Sequence, residues 1–171
     1  LVTTLGSALA QTVPPPGRDA RHPEEGRPFV RAYGPEELGG DAQNWAIVQD
    51  RRGVLYVGSA AGVLEFDGAA WRLIEPPRPS TIRSLAIDDK GRIYVGAVGD
   101  FGYLDPDTHG DLKFVSLVDR LPADARQFSD VWRTHVTPAG VVFQGERFIF
   151  RLAGDALQSL GFEVLASRPH G

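Results

Sequence analysis

Six side chains in this 171-residue chain are suited to binding a small-molecule or polymer ligand. Aromatic rings stack on flat ligands, while arginine and aspartate hydrogen-bond to polar groups. An alignment of internal repeats, described below, places all six at strand ends or loops that open on one end of the fold. The candidates are Trp45, Arg83, Asp100, Phe101, Trp132 and Arg147. Their chemistry predicts a site for a sugar, a peptide or an aromatic acid.

A second interpretation gives the same residues structural roles. Trp45 and Trp132 would fill the interfaces between repeats, because indole rings bury a large apolar area. Arg83 and Arg147 would then pair with neighbouring acids. For Asp100 and Phe101, the binding and structural interpretations are equally open.

The sequence matches known catalytic and metal-binding patterns only in part. Ser59, between glycines, does not match the nucleophile pattern G-x-S-x-G and is interpreted as part of a strand-to-strand loop. Asp105 and Asp107 begin like a calcium loop, but His109 and Ser116 stand where further oxygen ligands are expected, so a polar hairpin loop is predicted. We expect no metal site, no cofactor and no catalytic residue in this chain.

The remaining titratable residues have structural explanations. His135 aligns with Val48 and Ala86, so we expect it to be buried and hydrogen-bonded rather than a metal ligand. Most carboxylates fall at turns, and no acid/base pair stands out. The turn aspartates are Asp50, Asp67, Asp88 and Asp105.

The composition favours a turn-rich, all-β domain. The chain contains 20 Gly and 13 Pro, no Cys, and a net charge of −4. Glycine and proline together exceed their usual ~12% share. The negative charge argues against nucleic-acid binding, and the absence of cysteine excludes disulfides and thiolate zinc sites.

Three segments of the chain repeat, aligned on turn glycines at Gly53, Gly91 and Gly140. In each copy an apolar strand precedes the turn, a β-branched and aromatic strand follows it, and two further strands come next. A second glycine follows the first by five residues, and these glycines are Gly58, Gly96 and Gly145. Four antiparallel strands every ~40–45 residues are typical of β-propeller blades.

The predicted fold is therefore all-β, a partial β-propeller of about three four-stranded antiparallel blades. We place blade 1 at residues 41–80, blade 2 at 81–124 and blade 3 at 125–165, with the start of another blade at 166–171. Residues 29–40 are predicted to hold a ring-closing strand, at 29–33, and a connection. Because a ring needs 4–8 blades, we expect the remaining blades to follow in a longer protein.

The N-terminal segment indicates export. Residues 1–10 are small and apolar and end in Ala-Leu-Ala, which is typical of the end of a signal peptide. Residues 11–28 are proline-rich and charged, which predicts an extended linker.

The repeats resemble those of the two-component regulator propeller family. The resemblance covers about residues 29–160 and is strongest at residues 44–104. It rests on Asn44-Trp45, Gly62-Val63-Leu64-Glu65-Phe66-Asp67-Gly68 with Trp71, and Gly91-Arg92-Ile93-Tyr94-Val95-Gly96-Ala97-Val98-Gly99-Asp100-Phe101-Gly102-Tyr103-Leu104.

The resemblance implies a periplasmic sensor domain of an inner-membrane protein. In such proteins a β-sandwich, a membrane helix and a cytoplasmic output domain follow the propeller, and the output is a histidine kinase, a diguanylate cyclase or a DNA-binding domain. The implied partners are an unidentified small-molecule or polymer ligand and those later domains, with homodimerisation left open. The alternatives are a secreted interaction scaffold and a secreted propeller enzyme acting on polysaccharide.

Overall fold

The computed structural model describes residues 31–38 and 43–161. The chain divides into two units, 1–32 and 33–171, and nearly all described residues belong to the second. That unit contains three four-stranded antiparallel sheets, each ordered as in the sequence, so the predicted all-β partial propeller is confirmed. The predicted signal peptide, the linker and residues 166–171 lie outside the described residues.

Each sheet is one blade. Blade 1 consists of β1 (Asn44–Gln49), β2 (Leu55–Ser59), β3 (Val63–Phe66) and β4 (Trp71–Ile74). Blade 2 consists of β5 (Ile82–Ile87), β6 (Ile93–Ala97), β7 (Phe101–Pro106) and β8 (Leu112–Ser116). Blade 3 consists of β9 (Arg133–Thr137), β10 (Gly140–Gln144), β11 (Phe148–Ala153) and β12 (Ala156–Gly161). Two short 3-10 helices, Val118–Arg120 and Ala123–Ala125, connect blades 2 and 3.

The hairpin turns of blades 1 and 2 follow the predicted chemistry. The Asp50 carboxylate accepts hydrogen bonds from the backbone N–H groups of Arg52 (2.8 Å) and Val54 (3.0 Å). Gly53 adopts a φ of 88°, which a side chain would disfavour. Asp88 and Gly91 repeat the arrangement, so these aspartates are committed to the turns.

Two apolar cores lie between the blades. One joins blades 1 and 2 through residues such as Tyr56, Ile82 and Val95, and the other joins blades 2 and 3 around Phe101 and Phe143. The first strands contact one another in succession, β1 with β5 and β5 with β9. This places their starting residues side by side at one end of the fold.

Close approach of neighbouring blades depends on two equivalent glycines. A Cβ at Gly58 would lie 2.8 Å from Ile82 Cγ2, and a Cβ at Gly96 would lie 2.7 Å from Val131 Cγ1. Each glycine is the penultimate residue of a second strand, where the first strand of the next blade, or the segment leading to it, packs against the sheet. Side chains at these positions would force the blades apart.

The predicted equivalence of Gly145 with Gly58 and Gly96 is wrong. The first hairpin of blade 3 is one residue shorter, because Thr137 pairs directly with Gly140. The N–H of Gly145 donates to the Phe148 carbonyl, as that of Ala97 donates to the Asp100 carbonyl. Relative to the glycine alignment, the second strand of blade 3 is therefore displaced by one residue, which would place each side chain on the opposite face. Gln144, which pairs with Ile149, is the structural equivalent of Gly58 and Gly96.

The structure also bears on the expected burial of His135 and on the predicted ring-closing strand at residues 29–33. His135 is exposed, not buried, because it lies on the face of blade 3 turned away from blade 2. Arg31, Ala32 and Tyr33 form no strand, whereas residues 29 and 30 of the predicted ring-closing strand lie outside the described residues.

Candidate functional site

Irregularities in two first strands position two of the candidates. The register of β1 and β2 shifts between Asn44 and Ala46, and that of β5 and β6 shifts between Ile82 and Ser84. Trp45 and Arg83 are the extra residues at these shifts. Because a bulge redirects the side chain of its extra residue, both project near the start of their strands instead of alternating regularly.

Arg83 contacts both candidate tryptophans. Its guanidinium carbon lies 4.5 Å from the centroid of the Trp45 ring and 4.8 Å from that of Trp132. Both distances are within the ~6 Å range of cation–π attraction. The structure therefore brings together one candidate from each blade.

Asp130 completes this group, and sequence analysis did not identify it. The Nε–H of Arg83 donates to Asp130 Oδ1 over 2.6 Å. Asp130 is held by an isolated antiparallel bridge to Val98, flanked by hydrogen bonds from Gly99 N to Ser129 O and from Val131 N to Ala97 O. We call Trp45, Arg83, Asp130 and Trp132 the first-strand cluster.

The cluster combines features of both sequence interpretations. Arg83 pairs with an acid, as the structural interpretation expected, and its side chain is 20% exposed. Trp132, however, is 45% exposed, so it does not fill an interface between described blades. Trp45 is half-buried. The cluster thus presents a partly exposed indole beside a guanidinium that is held in place.

Asp100 and Phe101 are both buried, which favours the structural interpretation of these two candidates. Phe101 is fully buried and stacks on Phe150 at a centroid distance of 4.6 Å. Asp100 is 8% exposed, and its Oδ1 accepts hydrogen bonds from Phe101 N (2.7 Å) and Ser116 Oγ (2.6 Å). Burial raises the pKa of Asp100 above its usual value, while the hydrogen bonds from Ser116 and Phe101 oppose this shift.

Arg147 is exposed and lies outside the cluster. It lines a cavity of about 400 Å³ with the neighbouring loop residues 127–129. Within the described residues its guanidinium has no hydrogen-bonding or ion-pair partner. The pairing of Arg147 with an acid, which the structural interpretation expects, is thus not seen among the described residues.

A larger cavity, of about 850 Å³, lies at the opposite end, between the turns of blades 2 and 3. Some of its polar side chains have local partners. Asp88 accepts hydrogen bonds within its turn, and Asp105 pairs with Arg92 at 3.4 Å.

The alternatives of a calcium loop and a nucleophilic serine can be compared with the structure. Asp107 accepts the N–H groups of His109 (2.8 Å) and Asp111 (3.0 Å), which gives the predicted hairpin turn. Among residues 31–38 and 43–161, no three metal-ligating side chains gather. Ser59 is buried, and its hydroxyl donates to the Gly62 carbonyl over 3.0 Å within the predicted loop.

Comparisons with known proteins do not assign the chain. No family model, curated protein or solved structure matches it. In the part of the chain that the structure describes, no helix has the length and apolar character needed to cross a bilayer. The resemblance to two-component regulator propellers stays a prediction.

Proposed function

We propose that the chain is part of an extracytoplasmic, ligand-sensing propeller in a membrane-bound signal-transduction protein. The observation that carries the proposal is the first-strand cluster, in which one residue from each of three blades meets and the Trp132 indole is partly exposed. The resemblance of the repeats to two-component regulator propellers supports the wider role. Fold alone would not, since propellers serve many functions.

The arrangement of the cluster suggests how binding is transmitted. Trp45, Arg83 and Trp132 belong to successive blades, so a ligand that touches all three stabilises one relative placement of the blades. A ligand shifts a conformational equilibrium by its difference in affinity for the two states. The favoured placement would then be passed to the later domains, and through a membrane helix to the output domain.

Export can be tested with reporter fusions in the native gene. Alkaline phosphatase, which is active only outside the cytoplasm, and green fluorescent protein would each be fused after Gly161. We expect an active phosphatase and a dark fluorescent protein, and deletion of the leader through residue 10 should reverse both. Retention of the full-length protein in washed membranes supports the proposal. A cytoplasmic or freely secreted product would contradict it, the latter favouring a scaffold or a secreted enzyme.

A further inference from the structure

The Arg83 guanidinium has hydrogen-bonding capacity that the fold does not use. Its Nε–H is committed to Asp130, and its planar group contacts the rings of Trp45 and Trp132. Within the described residues, its two Nη groups donate to no acceptor. The terminal edge of the guanidinium, with two parallel N–H donors, therefore remains for a ligand.

We propose that the first-strand cluster binds a carboxylate attached to a ring, either an aromatic acid or a uronic acid. A carboxylate matches the terminal edge of arginine with two parallel hydrogen bonds. Asp130 and the two indoles hold the guanidinium in place before binding, which lowers the entropy lost when a ligand is captured. This inference deepens the proposed function, because it names the ligand class of the same site.

The cluster carries little net charge. Asp130 Oδ1 lies 2.6 Å from Arg83 Nε and balances the arginine charge. Recognition then depends on the geometry of the two N–H donors more than on net attraction.

The exposure of Trp132 is the reason why we expect a ring to accompany the carboxylate. Trp132 is 45% exposed and lies beside the guanidinium. An aromatic ring or the apolar face of a pyranose can pack on such an indole. Both sources share the carboxylate and the ring, so the experiment must separate them.

Calorimetric titration of the purified full-length protein tests the proposal with two matched pairs of probes. Phenylacetate is compared with phenylacetamide, and galacturonate with galactose. We expect saturable binding of at least one carboxylate, with its neutral counterpart weaker by about tenfold or more, as expected for hydrogen bonds to charged groups. Binding of phenylacetate alone assigns an aromatic acid, and binding of galacturonate alone assigns a uronic acid.

Two Arg→Lys variants locate the site. Arg83→Lys keeps the positive charge next to Asp130 but loses the paired donors, so we expect an affinity loss of about tenfold or more. Arg52→Lys is the matched control, because Arg52 lies in the β1–β2 turn at the other end of blade 1, and it should bind like the unmodified protein. Unchanged circular dichroism would establish that both variants are folded.

The inference is overturned if neither carboxylate binds, if acid and neutral probe bind equally, or if Arg83→Lys binds like Arg52→Lys. These outcomes are separate from the fusion test. If the protein is exported and retained in the membrane but binds no carboxylate, the proposed ligand class is rejected and the sensor proposal stands. If the protein is cytoplasmic but binds a carboxylate, the proposed binding site stands and the proposal of an extracytoplasmic sensor is rejected.

Discussion

Arg83 and Asp130 are 47 residues apart in the chain, yet their side chains share a hydrogen bond of 2.6 Å. Their side chains are only 20% and 15% exposed. The contact joins β5 of blade 2 to the segment that leads into blade 3. It therefore orients a candidate binding residue and also links two blades.

A double-mutant cycle measures this link. We expect Arg83→Gln, Asp130→Asn and the double variant to give a coupling of about 1–3 kcal/mol in the free energy of urea unfolding, because both groups are shielded from water. The control cycle uses Arg92 and Asp105, which are 3.4 Å apart and 47% and 43% exposed. Exposed pairs typically couple by about 0–1 kcal/mol. A coupling at Arg83–Asp130 no larger than this control would contradict the predicted link.

Gly96 should be intolerant of a side chain. A Cβ there would lie 2.4 Å from Ser84 Oγ, 2.7 Å from Val131 Cγ1 and 2.9 Å from Thr134 Oγ1. We expect Gly96→Ala to lower the free energy of unfolding by about 1–3 kcal/mol through overpacking between blades 2 and 3. Gly34→Ala is the control, since a Cβ there meets nothing within 4 Å. Equal urea midpoints for the two variants would show that the close approach is not needed.

Asp100 should make the protein less stable as the pH rises, which is the opposite of the usual effect of an aspartate. Burial raises its pKa above the ordinary 3.8. The contribution of Asp100 to the free energy of unfolding is therefore fully present below pH 3.8. It is lost as the pH rises through the higher pKa of the folded state. Asn can accept the same hydrogen bonds from Phe101 and Ser116 without a charge. We expect the stability of Asp100→Asn, relative to the unmodified protein, to increase as the pH rises from about 4.

Asp67→Asn provides a control of opposite sign. Backbone hydrogen bonds from Ala70 and Ala69 lower the pKa of Asp67. Its contribution is present above pH 3.8 and is lost as the pH falls through the lowered pKa. Asp67→Asn should therefore be less stable than the unmodified protein near neutral pH. In urea unfolding, this difference in the free energy of unfolding should become smaller as the pH falls. A parallel trend in the two variants would refute the account of Asp100.

The sequence predicted the local structure well because turns follow local chemistry. Asp50 and Gly53 specify their turn through contacts within five residues, and the strands follow from short apolar and β-branched runs bounded by turn residues. The equivalence of Gly145 failed because Thr137 and Gly140 form a shorter hairpin. Such a change alters the register while leaving the spacing of glycines intact.

The site was less predictable because it depends on contacts distant in sequence. Phe101 and Asp100 follow a glycine-rich stretch that resembles an exposed loop, but the connection between blades 2 and 3 helps to cover them with residues such as Leu117 and Val118. The proximity of Trp45, Arg83 and Trp132 followed from the repeat alignment. The pairing with Asp130 did not, because it requires the bridge to Val98.

The most direct test of the sensor proposal is the sequence of the gene beyond codon 171 and upstream to its start. We predict further blades, an apolar segment of ~20 residues that can span a membrane, and a kinase, cyclase or DNA-binding domain after it. A complete leader should precede residue 1. A stop codon directly after the last blade, with no membrane segment, would contradict the sensor role and favour a secreted scaffold or enzyme.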